Sequence, residues 1–109
     1  MQGQALKGHL DVLLLTSLER GPRHGYAIID WLVERSGGEL KLAAGTLYPA
    51  LHRLEADGLV RGQWHEPPGE RKRRVYALTK KGERALVTRQ HDWIVFSRVM
   101  NAVLGGANG

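Results

Sequence analysis

Leucines recur at spacings of three and four near the start of the chain: Leu6, Leu10, Leu13, Leu14 and Leu18 fall on one face of a helix. They predict a first helix from about Ala5 to Glu19, stopped by Gly21-Pro22. Tyr26, Ile29, Leu32 and Val33 repeat the pattern and predict a second helix from about His24 to Arg35, ended by Gly37-Gly38. Gly25 marks a close approach of two helices or a tight turn between them. A third helix is expected from about Ala44 to Asp57, with Leu47, Ala50, Leu51 and Leu54 on its buried face. Thr46, Tyr48, Pro49, His52 and Arg53 are left on the open side. Gly45-Thr46 supplies short capping residues at its start, and Pro49 is tolerable near the first turn. Asp57-Gly58 closes it.

The period then changes. Leu59 to Trp64 and Arg74 to Leu78 read as two strands of a ribbon. Between them, His65 to Arg73 holds two prolines and a glycine, which exclude regular structure. Thr79 is the expected N-cap of a last helix, with Lys80-Lys81-Gly82 in its first turn and an end near Leu104. On it, Leu86, Trp93, Phe96, Met100 and Val103 make the seam of a helix that packs lengthwise on another helix. The closing residues 105–109 (GGANG) are expected to fray into a disordered tail. Tyr26 and Tyr76 fit core packing, and Trp31 and Trp64 fit half-buried packing positions.

Composition sharpens this picture at one place. The 109 residues make one domain of ordinary character, 42% apolar and 25% charged. Arg61 to Arg84 contains eight basic and three acidic residues, which accounts for the whole net charge of +5. Charge concentrated in this way is the footprint of a polyanion-binding surface, the plainer alternative being a solvated basic loop. Cysteine is absent, so disulfides, thiol catalysis and Cys-based zinc sites are excluded. The histidines His9, His24, His52, His65 and His91 form no HxxxH or HxH pair, so no metal site is expected. Ser17, Ser36 and Ser97 lack a nucleophile motif, and no Gly-rich phosphate loop is present. These patterns point away from an enzyme and imply no cofactor. No signal peptide or membrane-length apolar run is apparent, and a cytoplasmic location is expected.

Three helices, a β-hairpin and a further helix predict a mainly α fold with a small β-hairpin, a winged helix-turn-helix, followed by a C-terminal dimerisation helix. A B-DNA major groove admits one helix, and the basic hairpin loop beside it can reach phosphates or the minor groove. Tyr48 is the first candidate for DNA contact, with Thr46, His52 and Arg53 on the same face. Arg71, Lys72 and Arg73 at the wing tip are phosphate candidates, and Lys41 ahead of the third helix is a weaker one.

The runs LKGHLDVLLLTSLERGPRHGYAI, GTLYPALHRLEADGLV and RRVYALTKKG resemble the PadR family of transcriptional regulators, over Leu6 to about Leu86. The last helix resembles the small members, which carry a single C-terminal helix. The resemblance implies a DNA-binding unit over residues 1–78 and a dimerisation helix over 79–104. It implies a homodimer on a pseudo-palindromic double-stranded operator, acting as a repressor, with dimer contacts from the last helix aided by the first. It also implies a response to a small aromatic or cationic effector. By type and rough position Trp93 falls where such compounds are held, with Phe96 and Met100 beside it. The simpler role for Trp93 is packing in the dimer seam. The alternative function is a winged-helix protein-interaction module without specific DNA binding, against which the clustered charge argues.

Overall fold

The computed structural model describes residues 9–105. The predicted start of the first helix, Ala5 to Gly8, and all but Gly105 of the predicted tail lie outside the described residues. In chain order the elements are α1 (Leu10–Ser17), β1 (Arg23–His24), α2 (Gly25–Arg35), α3 (Ala44–Ala56), β2 (Val60–His65), β3 (Arg73–Leu78) and α4 (Lys80–Val103). The mainly α winged helix-turn-helix expected from the pattern is the fold observed.

Helix α1 buries Leu10, Leu14, Leu15 and Leu18, whereas Leu13 is only partly covered. Its end is tightened by i→i−3 bonds from Leu18 and Glu19 to the carbonyls of Leu15 and Thr16, and it stops at Ser17, short of Glu19. In α2 the His24 side chain accepts the Ala27 N–H at 3.2 Å and caps the helix. The buried face is Gly25, Ile28 and Leu32. Tyr26, expected in the core, is instead 63% exposed. Its ring sits one position off the buried line, so apolar character at helical spacing misassigned it.

Helices α2 and α3 both end in the same motif. The N–H of Gly38 reaches the Val33 carbonyl and the N–H of Leu59 reaches the Leu54 carbonyl, with Gly37 at φ +64° and Gly58 at φ +76°. These are Schellman closures, which require a left-handed residue and so favour glycine. The start of α3 departs from expectation. Ala43 occupies the N-cap with no side-chain bond, and its carbonyl accepts the Thr46 and Leu47 N–H groups. Pro49 is the sixth helical residue, beyond the first turn. It removes the usual donor to the Gly45 carbonyl, and Gly45 is exposed, so water can supply one.

Strand β3 is the centre of a three-stranded antiparallel sheet ordered β1-β3-β2. Val60 to His65 pairs with Leu78 to Arg73, and Arg23-His24 pairs with Tyr76-Val75 on the other edge. The two-residue β1 was not expected, because so short a strand has no period to detect. At the wing tip the Glu70 N–H meets the Pro67 carbonyl at 3.0 Å and Gly69 has φ +75°. Proline followed by a left-handed glycine makes this a type II turn.

Helix α4 begins against the α3–β2 turn. Thr79 accepts the Gly82 N–H at 3.0 Å and donates to the Gly58 carbonyl at 2.6 Å. The Thr79 N–H bonds the Leu59 carbonyl and Lys81 Nζ bonds the Asp57 carbonyl. Gly82 is buried, and a Cβ there would overlap the Leu59 carbonyl oxygen. Leu86 completes the core with Leu14, Leu15, Ile28, Leu47, Leu51, Leu54, Val60 and Tyr76. Beyond it α4 leaves Trp93, Phe96, Val99, Met100 and Val103 exposed.

Replacing Gly82 with Ala tests this seating. Alanine gains about 1 kcal/mol in helix propensity, but overpacking against backbone costs about 1–3 kcal/mol. The expected outcome is a lower thermal midpoint for Gly82→Ala at fixed protein concentration. Gly45→Ala, with open space around its Cβ, should raise the midpoint.

Candidate nucleic-acid interface

The exposed surface of α3 divides into three lines. Gly45, Pro49, His52 and Ala56 run along the centre, and all are exposed. Most of these side chains are small, so the ridge can approach another surface closely. Thr46 and Arg53, seven residues apart, lie on the flank facing α1, and Tyr48 and Glu55 lie on the flank facing the wing.

Both flanks are anchored. Arg53 donates to both oxygens of Asp11 on α1, at 2.9 and 2.7 Å. This hydrogen bond raises the Arg53 pKa above its usual value. On the other flank, Glu55 Oε2 accepts from Arg74 of β3 at 2.7 Å and from the Gly62 N–H of β2 at 3.2 Å. Gly62 makes room for this, since a Cβ would run into the Arg74 guanidinium. One basic member of the run Arg71–Arg74 is therefore structural. Arg73 pairs with Glu70 at 3.0 Å, whereas Arg71 and Lys72 are exposed with no ion pair among the described residues. Lys41 is exposed in the segment leading into α3.

Between α2, α3 and the wing lies a cleft of about 710 Å³, lined by Tyr26, Tyr48, His52, Trp64, Lys72 and Tyr76 among others. Tyr48 lies over Gly25: a Cβ there would overlap the phenol oxygen. The close approach expected at Gly25 is thus between a glycine and a side chain. Burial, and secondarily Tyr26, push the Tyr48 phenol upward, so it remains an O–H donor at neutral pH. Tyr76 is buried as expected. Trp64, expected half-buried, is 60% exposed, with Lys72 Nζ 5.0 Å and Arg74 5.5 Å from its ring. Tyr26 and Trp64 are cleft residues that the sequence pattern assigned to packing. The available signal for Trp64 was its alternation with Val60 and Gly62 toward the wing tip, past the last core position.

The α4 candidates sit apart from this cleft. Trp93 packs on His9 at 4.6 Å and on Phe96 at 5.8 Å between ring centroids. It borders three hollows, one of them a shallow one of about 330 Å³ along α4 itself with Ile94, Ser97, Arg98 and Asn101. A groove of about 680 Å³ between α1, α2 and α4 is lined by Val12, Leu13, Trp31, Leu40 and Ile94 with Trp93. A smaller hollow of about 410 Å³ is lined by His9, Asp11, Arg89 and Asp92 with Trp93 and Phe96. Met100 is exposed and lines none of them. Trp31 is partly buried, as expected, with Arg23 and Arg35 over its ring. Among the described residues, no helix is long and apolar enough to cross a membrane, and no histidine or carboxylate cluster could hold a metal ion.

A helix with an open ridge, a basic wing beside it and a long terminal helix define a winged helix-turn-helix regulator. Comparison with known proteins gives the family. The model of the transcriptional regulator PadR-like family matches residues 14–88, and the chain belongs to that family. It is 43% identical over 77 residues to a transcriptional regulator of Mycobacterium tuberculosis, covering 70% of this chain and 68% of that protein. A PadR family transcription regulator from Clostridium difficile superposes with a TM-score of 0.79 at 32% identity, over 89% of this chain and 99% of that one. Bacillus subtilis PadR, solved in complex with operator DNA, gives a TM-score of 0.66 at 25% identity, over 80% of this chain and 47% of that one. Proteins of this family are DNA-binding regulators and not enzymes.

The wing anchor and the wing-tip pair should differ in weight. Glu55→Ala strands a part-buried arginine and a strand N–H, and should cost about 1–3 kcal/mol in chemical denaturation. Arg73→Ala breaks only an exposed pair, worth about 0–1 kcal/mol. Equal losses would contradict the anchoring role of Glu55.

Proposed function

We propose that this chain is a homodimeric, sequence-specific DNA-binding repressor that releases a pseudo-palindromic operator when a small aromatic or cationic effector binds. The observation that carries this reading is the cleft between α3 and the wing, where aromatic and basic side chains converge beside a low ridge. The ridge of α3 enters a major groove. Thr46, Tyr48 and His52 meet base edges or phosphates, and Arg71 and Lys72 neutralise flanking phosphates. Arg73 and Lys41 add to that field. Tyr26 and Trp64 join the interface from the walls of the cleft. The operator complex of Bacillus subtilis PadR supports this placement by likeness of fold.

Residues 1–78 form the DNA-binding unit and 79–104 the dimerisation helix. The apolar face of α4 left open by the core supports this division, because so extended a patch on a small protein marks an interaction site. Phe96, Met100 and Val103 meet their counterparts there. Trp93 adjoins the seam and offers an aromatic wall to a planar or cationic ligand. Such a regulator acts in the cytoplasm, where the DNA is.

Mobility-shift titration against DNA from upstream of its own gene tests the function. Preference over random DNA is expected, with affinity falling steeply as salt rises. Replacing both Arg71 and Lys72 with Ala should weaken binding to every sequence and shallow the salt slope by about 2. Absence of any preference at moderate salt would refute the proposal. For the seam, Met100→Glu should shift the protein from dimer to monomer in sedimentation. For the effector, Trp93 fluorescence should quench with planar aromatic compounds once Trp31 and Trp64 are replaced.

A further inference from the structure

Asp11, in the first turn of α1, holds two arginines that belong to different parts of the machine. Arg53 comes from α3 and binds both carboxylate oxygens, at 2.7 and 2.9 Å. Arg89 comes from α4 and bonds Oδ2 at 3.3 Å, the same oxygen that accepts from Arg53 Nη1. The Asp11 side chain is 30% exposed, Arg53 50% and Arg89 40%. These are pairs near water, held weakly enough to exchange. Two cations on one carboxylate repel each other, so each loosens the grip on the other.

The position of each partner gives this sharing a consequence. Arg53 lies on the α1 flank of the helix proposed to meet DNA, where a released guanidinium can reach a phosphate. Arg89 lies one turn before Trp93, and with Asp11 and Asp92 it lines the hollow under Trp93 and Phe96. His9 borders that hollow too, and Asp57 also acts electrostatically on Arg53. A shift of α4 against α1 changes the Arg89–Asp11 contact together with the Gln90–Thr16 and Trp93–His9 contacts.

We propose that Asp11 is a positioning residue that ties the availability of Arg53 for DNA to the seat of α4. With Arg89 on Asp11, Arg53 is readily given up to a phosphate. When α4 moves and Arg89 leaves, Asp11 grips Arg53 alone, and DNA affinity falls. This inference rests on the DNA-binding role proposed for α3.

The test uses the full chain and the DNA fragment from upstream of its own gene, titrated at several salt concentrations. Asp11→Asn frees Arg53 and should tighten binding about three- to ten-fold at low salt, steepening the salt slope by about one contact. Arg89→Gln should weaken binding about two- to five-fold, the span an exposed pair supports. The double variant should match Asp11→Asn alone, and Arg89→Gln should have no further effect in an Arg53→Gln background. The arginine variants keep the proposal testable even if Asp11→Asn does not fold. If Asp11 were only a staple between α1 and α3, Asp11→Asn would weaken binding and Arg89→Gln would not change it, which overturns the proposal. Wild-type preference for the fragment without tightening in Asp11→Asn defeats this inference alone. A wild type without preference defeats the DNA-binding reading and this inference together.

Discussion

The turn from Asp57 to Leu59 is where the three working parts of the molecule are fixed to one another. It closes α3, opens β2 and receives the first turn of α4. Its backbone carbonyls are used three times by the start of α4: Asp57 by Lys81 Nζ, Gly58 by the Thr79 hydroxyl and Leu59 by the Thr79 N–H. Gly82 completes the contact by bringing a helix backbone against a carbonyl where no side chain fits. The Thr79 N–H bond to Leu59 joins backbone to backbone, and the Thr79 hydroxyl and the Lys81 side chain add two further tethers. Helix α3, the wing and the first turn of α4 are therefore held together at this joint, while Arg89 lies further along α4. That joint suits the proposed dimeric reading of half-sites, in which two copies would present their ridges at a set separation.

Within the frame, α3 is steadied from the sides by charge. Glu55 ties it to the wing strands and Arg53 ties it to α1. The two anchors differ in kind. The Glu55–Arg74 pair is the less exposed and also satisfies the Gly62 N–H, so losing it leaves unpaired polar groups. The Asp11–Arg53 pair is wetter and shared with α4, which suits exchange. The result is an interface stiff on its wing side and adjustable on its α1 side.

Much of the fold was legible in the sequence because the helices carry their own punctuation. Gly37-Gly38 and Asp57-Gly58 end α2 and α3 through the same left-handed closure, and Thr79 caps α4 as its position suggested. The buried leucines of α3 were legible from spacing alone. What escaped had physical reasons. Strand β1 is too short to show a period. Tyr26 and Trp64 are aromatics at core-like spacing that the cleft leaves open, and which side of a wall an aromatic faces is set by tertiary packing. Arg53 looked like a free cation and the anchoring role of Arg74 went unseen, because their partners, Asp11 and Glu55, are 42 and 19 residues away in sequence.

In the proposed function the ridge of α3 and its cleft with the wing form the DNA face, and α4 does not. Amide and indole chemical-shift mapping during titration with operator DNA measures this directly. The largest changes should fall on Thr46, Tyr48, His52, Arg71 and Lys72, with Tyr26 and the Trp64 indole among them, while Phe96 to Val103 stay nearly still. Changes centred on the apolar face of α4, with the wing silent, would contradict this placement of the DNA face.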